Sequence, residues 1–230
     1  MNKKLRTEQK YFLHKSSAEI LKMRLLGIME KDPHLGEKRT YLIRSVYFDD
    51  PDDSCLCDKI DGVGEREKWR IRIYDADDSM IRLECKGKVG NMTYKDSARI
   101  TRSQAESAIN GDVGLCCGPD PVWNRFVMKM TTRGLRAVTI VQYERIPYIW
   151  RPSNVRITFD ENIASSEMFD RFFDRDLPVR PIMPADKEIM EVKYDTLLPD
   201  HIRHSLSFGK MINTAFSKYA LCRMMPMSFV

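Results

Sequence analysis

Arg66-Glu67-Lys68-Trp69-Arg70-Ile71-Arg72-Ile73-Tyr74 alternates with period two. Positions 66, 68, 70 and 72 are cationic, and positions 69, 71 and 73 are apolar. Two further stretches repeat the pattern. In Ile81-Arg82-Leu83-Glu84-Cys85-Lys86-Gly87-Lys88 the charges fall at 82, 84, 86 and 88; in Val155-Arg156-Ile157-Thr158-Phe159-Asp160 the polar set is 156, 158 and 160. Side chains alternate across a strand, so each segment has one charged face and one apolar face. Four like charges along one strand face repel each other, which makes physical sense when a polyanion lies against them.

Composition narrows the setting. The chain has 230 residues, and 38 basic residues nearly balance 33 acidic ones, for a net charge of +5. A diffuse polybasic nucleic-acid tail is not indicated; the placement of the charges matters more than their sum. The length suits one domain spanning 1–230. No apolar run approaches the length of a membrane helix, and no apolar h-region follows the basic N-terminus, so neither a membrane segment nor a signal peptide is expected. The six cysteines, at 55, 57, 85, 116, 117 and 222, contain no C-x-x-C pair and read as reduced thiols of a cytoplasmic protein.

Working outward, strands are predicted over 5–12, 39–49, 66–74, 79–88, about 93–99, 137–145, 155–160 and 188–195. A helix is predicted from Ser16, with Ser16 as N-cap and Glu19 completing a capping box, to about Glu30. Others are placed at 54–60, 103–110 and 121–133, with an amphipathic stretch at 165–175 and mostly helix over 200–223. Asp75-Ala-Asp-Asp78 is a plausible hairpin loop. The loop 111–121, with Cys116 and Cys117, fits no motif.

The charged faces can point to solvent on an open antiparallel sheet. They can also line the lumen of a barrel. Arginine dominates the polar positions, and carboxylates (Glu8, Glu84, Asp160, Glu191) occur singly among the cations. This favours the second reading: an α+β fold with a closed eight-stranded antiparallel β-barrel and helices packed outside. The lumen would carry Arg6, Lys10, Arg66, Lys68, Arg70, Arg72, Arg82, Lys86, Lys88, Lys95, Arg99, Arg145, Arg156 and Lys193. Eight strands leave room for one small ligand. Arginine forks suit phosphate oxygens, and the lone carboxylates suit a divalent metal held against them.

These segments resemble the triphosphate tunnel metalloenzymes, the CYTH-like superfamily, and within it the polyphosphate polymerase domain of the VTC family. The resemblance rests on eight ordered motifs: Glu8-Gln-Lys10-Tyr11, Ser45-Val-Tyr-Phe-Asp49, Lys68-Trp-Arg70-Ile-Arg72-Ile-Tyr74, Glu84-Cys-Lys86-Gly-Lys88, Tyr143-Glu-Arg145, Arg156-Ile-Thr-Phe-Asp160, Met190-Glu191-Val-Lys193-Tyr194 and Phe216-Ser-Lys218-Tyr219. It implies an enzyme that moves the γ-phosphate of ATP onto inorganic polyphosphate, using Mn²⁺ or Mg²⁺. By the same resemblance, Lys10, Arg70, Arg72, Lys86, Arg145, Arg156, Lys193 and Lys218 bind phosphates, and all but Lys193 act in catalysis. Glu191 is the principal metal ligand, Glu8 and Glu84 are further candidates, and Tyr143 lies near the nucleotide. The expected partners are ATP or another triphosphate and polyphosphate, with no nucleic acid. Neither the SPX-type sensor nor the membrane helices of eukaryotic VTC proteins is expected.

Each residue also has a plainer reading. Arg70 and Arg72 fit a solvated strand face, Glu191 an ion-pair partner for Lys193 or Arg156, Glu84 a neutraliser of Arg82 and Lys86, and Lys218 an ordinary helix-surface lysine. The four histidines read as surface residues. Phosphoryl transfer relies on charge neutralisation and positioning more than on acid/base groups, which accounts for a site without histidine. With water as acceptor the same scaffold is a triphosphatase; without turnover it is a polyphosphate or nucleotide sensor.

Overall fold

The computed structural model describes residues 7–35, 38–89, 92–112, 114, 117–209, 211 and 213–224. Arg6 and Cys116 therefore lie outside the described residues. The chain forms two compact units, each assembled from separated stretches: Met1–Leu42, Tyr143–Ile163 and Met183–Phe216 in the first, Ile43–Gln142, Ala164–Ile182 and Ser217–Val230 in the second.

In the first unit, β1 (Thr7–His14), β10 (Lys187–Tyr194), β8 (Val155–Ser166) and β7 (Arg136–Trp150) follow one another, with β2 (Glu30–Lys31) on β7. The β1–β10 and β10–β8 pairs are antiparallel, and their register sets Lys10 opposite Glu191 and Glu191 opposite Thr158. Leu13, Ile146, Tyr148, Ile157, Phe159, Met190 and Val192 form the apolar face. They are buried against Ala18, Leu21 and Leu25 of α1 (Lys15–Leu26) and Ile202 and Leu206 of α5 (Asp200–Leu206).

In the second unit the order is β7, β3 (Tyr41–Asp49), β4 (Arg66–Tyr74), β5 (Asp77–Val89) and β6 (Met92–Ile100), and β9 (Arg180–Pro181) pairs with β8. The apolar positions predicted from period two, Trp69, Ile71, Ile73, Ile81, Leu83 and Cys85, are all buried. They pack with α3 (Arg102–Asn110) and α4 (Pro121–Arg133). Phe126 of α4 anchors this layer, edge-on to Phe48 at 4.9 Å between ring centroids and 5.4 Å from Trp69. Burying such a ring contributes about 1.5–3 kcal/mol. The remaining helices are α2 (Ser54–Ile60) and α6 (Lys218–Met224). Among the described residues no helix is long and apolar enough to cross a membrane.

The α+β class with an antiparallel sheet holds, but the closed barrel does not. The strand order has two ends, β1 and β6, so the sheet is not closed. A physical reason lies along β1. The amide of Thr214 donates to the Lys10 carbonyl at 2.9 Å, Asn213 Oδ1 accepts from the Lys10 amide, and Tyr11 bridges to Asn213. The C-terminal segment thus occupies backbone groups that a closing strand would need.

Other boundaries also move. Helix α1 starts after His14 with no side-chain cap, and Glu19 pairs with Lys22 at 3.0 Å instead of completing a box with Ser16. The capping box forms instead at Thr101 and Gln104 of α3. The hairpin loop shortens to Asp75 and Ala76, both at positive φ, and Asp77 already pairs with Tyr74. Strand β7 runs through Pro147 to Trp150. The stretch 165–175 holds only a 3-10 turn at Phe169–Arg171. Instead of continuous helix, 200–223 gives two seven-residue helices, with Gly209 left-handed between them.

One glycine is fixed by a close approach. A Cβ on Gly87 would lie 2.0 Å from Cζ of Tyr94, whose ring covers it from the paired strand. The Tyr94 hydroxyl donates to Glu67 at 2.6 Å, so the ring cannot swing away freely. We expect Gly87→Ala to destabilise the protein by about 1–3 kcal/mol in urea unfolding, with most of that cost removed in a Tyr94→Ala background. Equal costs in both backgrounds would contradict this packing.

Candidate functional site

Each unit presents its polar strand face as a distinct cluster. In the second unit the register stacks the charges in rows. Lys68 of β4 faces Lys86 of β5, which faces Lys95 of β6; Arg72 likewise faces Arg82, which faces Arg99. Between these rows lies Arg70–Glu84–Ser97. On this face of β4, β5 and β6, nine cations (Arg66, Lys68, Arg70, Arg72, Arg82, Lys86, Lys88, Lys95, Arg99) meet the single carboxylate of Glu84. Side chains directly opposite lie about 4.5–5.5 Å apart at Cβ.

Glu84 is 1% exposed and holds this face together. Arg70 reaches one of its oxygens at 2.6 Å, Lys95 the other at 2.7 Å, and Arg72 stands at 3.9 Å. Burial alone would raise the Glu84 carboxyl, but Arg70, Arg72 and Lys95 overcome it and hold it well below the usual carboxylate range. Strand β3 supplies neutral partners: Arg70 donates to the Tyr47 hydroxyl at 2.9 Å and Arg72 to the Ser45 hydroxyl at 3.1 Å. These contacts fix the guanidinium groups. Arg72 is only 6% exposed, so the solvated-face reading fails for it.

Lys68 is set apart from the other cations. Its ammonium donates to Ser217 Oγ at 3.3 Å and lies 5.1 Å from the centre of the Tyr219 ring. Tyr219 is buried beside Tyr47 and donates to Asp49. Burial pushes the Lys68 ammonium down to about 8. Lys86 is exposed, and Lys218 opens α6 next to Ser217.

The first unit gathers Glu8, Lys10, Glu191, Lys193 and Arg145. Lys193 lies 3.1 Å from Glu191 and 3.6 Å from Glu8; Lys10 lies 3.1 Å from Glu8 and 4.0 Å from Glu191. Lys10 also donates to the Phe216 carbonyl at 3.1 Å. Arg145 grips Asp160 with two bonds of 2.6 and 2.8 Å, stands 3.7 Å from Glu191 and lies over the Tyr143 ring. Burial would raise the Glu191 carboxyl, but Lys193, Arg145 and Lys10 hold it well below the usual range. Arg156 turns to Asp32 at 3.1 Å and the Tyr41 hydroxyl at 3.0 Å. Lys10, Lys193, Arg145 and Arg156 thus balance Glu8, Glu191, Asp160 and Asp32 charge for charge, unlike the cationic rows.

Among the described residues, no three His, Cys, Asp or Glu side chains form a metal-holding group. Glu8 and Glu191 share two ammonium groups, whereas Glu84 spends both oxygens on cations. Ser45, Tyr47, Ser217 and Tyr219, which stand inside the quoted motifs but were given no role there, partner the site's cations. Ser45 and Tyr47 do sit at period-two positions of β3, which is the signal that placed the arginines.

A family model described as the VTC domain matches residues 5–225. The chain belongs to the VTC domain family. VTC membership supports a triphosphate-acting enzyme of the tunnel type. Among solved structures, the VTC chain is similar to a Bacillus halodurans protein named a "putative adenylate cyclase", with 15% identity, 89% of this chain and 87% of that one covered, and a TM-score of 0.50. A Pyrococcus horikoshii protein aligns at 13% identity over 94% and 96% of the two chains, with a TM-score of 0.46. The first likeness concerns the fold alone. No curated protein matches the sequence.

The Lys68 environment gives a pH dependence. A bound anion favours the charged ammonium, so binding near pH 8–9 takes up a proton and affinity rises as pH falls through about 8. We expect tripolyphosphate affinity to gain more between pH 9 and pH 7 in wild type than in Lys68→Met, by calorimetry. The comparison cancels the ligand's own titration. Parallel pH profiles for the two proteins would contradict it.

Proposed function

We propose that this VTC domain transfers the terminal phosphoryl group of a nucleoside triphosphate, ATP in the first instance, to the end of an inorganic polyphosphate chain. The observation that carries the reading is the pair of cationic rows flanking Glu84, which a multiply charged anion would complement. Arg70, Arg72 and Lys86 bind phosphate oxygens there, with Lys68 beside them and Lys218 at the start of α6. In the other unit, Lys10, Lys193, Arg145 and Arg156 bind phosphates, and Tyr143 supports Arg145 near the nucleotide. A cytoplasmic location fits the supply of ATP.

A divalent ion, Mn²⁺ or Mg²⁺, fits Glu191 with Glu8. Both offer hard oxygen donors, and Mg²⁺ in phosphate sites takes one or two carboxylates and leaves its other positions to water and phosphate. When bound, the ion supplies charge neutralisation between phosphate oxygens. Lys10 and Lys193, which bind these carboxylates, would hold phosphate oxygens beside such an ion. Arg145 stays in place through Asp160. Glu84 acts as the counter-charge that spaces Arg70, Arg72 and Lys95.

The test is incubation of the protein with ATP and Mn²⁺, with products resolved by gel electrophoresis. A ladder of polyphosphate is the expected result. Phosphate alone makes the protein a hydrolase, and binding without turnover makes it a sensor; either overturns the proposal. Glu191→Gln should lose turnover while keeping most triphosphate binding. Arg70→Ala should weaken binding by about 1.5–3 kcal/mol, as for a charge-assisted hydrogen bond. Full Mn²⁺-dependent activity in Glu191→Gln would contradict the ligand assignment.

A further inference from the structure

Thr158 is 3% exposed, and its hydroxyl has no hydrogen-bond partner among the described residues. A buried polar group without a partner costs about 1–3 kcal/mol. Valine has nearly the same shape and would carry no such cost. The neighbouring polar groups are already engaged. On one side along β8, Asp160 gives both oxygens to Arg145; on the other, Arg156 bonds Asp32 and Tyr41. Directly across the strand pair stands Glu191. Thr158 therefore shares a sheet face with Glu191, the carboxylate assigned to the divalent ion.

We propose that the Thr158 hydroxyl holds a water of the coordination shell of the divalent cation bound by Glu191, and so acts as a positioning residue of that site. The inference rests on the cation reading above but adds an oxygen that neither the charge pattern nor the VTC motifs assign. A threonine hydroxyl both donates and accepts, so it can anchor a bound water and leave the water's remaining capacity for phosphate. The reach suits water mediation, because Cβ atoms of facing residues are about 4.5–5.5 Å apart and threonine is short. Outer partners of this kind typically govern metal affinity by about 10–100-fold. Lys10, Lys193 and Arg145 surround the same carboxylate and are not altered by the test.

The experiment is Mn²⁺ titration of the nucleotide-free protein, followed by electron paramagnetic resonance of the unbound ion. Wild type, Thr158→Val, Thr158→Ser and Glu191→Gln are compared, together with metal-free urea unfolding. Thr158→Val should weaken Mn²⁺ binding about tenfold or more. Thr158→Ser should bind within about twofold of wild type, because the hydroxyl is kept. Metal-free Thr158→Val should unfold at the same or a higher urea concentration than wild type, since an unpartnered buried hydroxyl is removed. Wild-type Mn²⁺ affinity in Thr158→Val overturns the inference while a loss in Glu191→Gln leaves the cation reading standing. Absence of Mn²⁺ binding by wild type overturns both. A lower urea midpoint for Thr158→Val assigns the hydroxyl an internal hydrogen bond and also overturns the inference.

Discussion

Repulsion among cations on one strand face, held in check by a single buried glutamate, is the constraint around which the second unit is organised. Hydrogen bonding fixes the register of β4, β5 and β6, and the register in turn forces lysine opposite lysine and arginine opposite arginine. The apolar reverse face, from Trp69 to Ile100, prevents the sheet from slipping by one residue, because a slip would turn every cation into the core. Packing against α3 and α4 thus sustains an arrangement that electrostatics alone opposes. Glu84, Ser45 and Tyr47 make it tolerable by spacing Arg70 and Arg72.

The two clusters differ in a way that assigns them different chemistry. Around Glu191 each carboxylate has a cationic partner: Lys10 and Lys193 on Glu8 and Glu191, and Arg145 on Asp160. Along the Lys68 and Arg72 rows lysine faces lysine and arginine faces arginine, an arrangement that an anion would complement. Lys68 adds a graded element, since burial lowers its ammonium to about 8 where it contacts Ser217 and Tyr219 of the C-terminal segment.

Much of this was legible in the sequence because the deciding signal is local. Period-two alternation over 66–74 and 81–88 identifies strands, faces and arginines from neighbouring residues alone. Closure was not legible, because it depends on what lies along the edge of β1, and residues 213–214 reach it from the far end of the chain. The same segment explains the overestimated C-terminal helix: backbone groups near 213 serve a strand edge, and Gly209 takes a left-handed turn. Ser16 and Glu19 have the spacing of a capping box, yet Lys22 claims the carboxylate. Lys68 looked like one cation among several, since its lowered proton affinity comes from burial in the folded chain, which no local pattern shows.

The central claim is that the cationic rows are built for a chain of phosphates. Thermal unfolding with equimolar orthophosphate, pyrophosphate, tripolyphosphate and a longer polyphosphate, at fixed ionic strength, tests it directly. Stabilisation through binding to the folded state should grow with each added phosphate until the rows are spanned, and it should shrink in Arg72→Ala. Equal stabilisation by orthophosphate and tripolyphosphate would contradict the account.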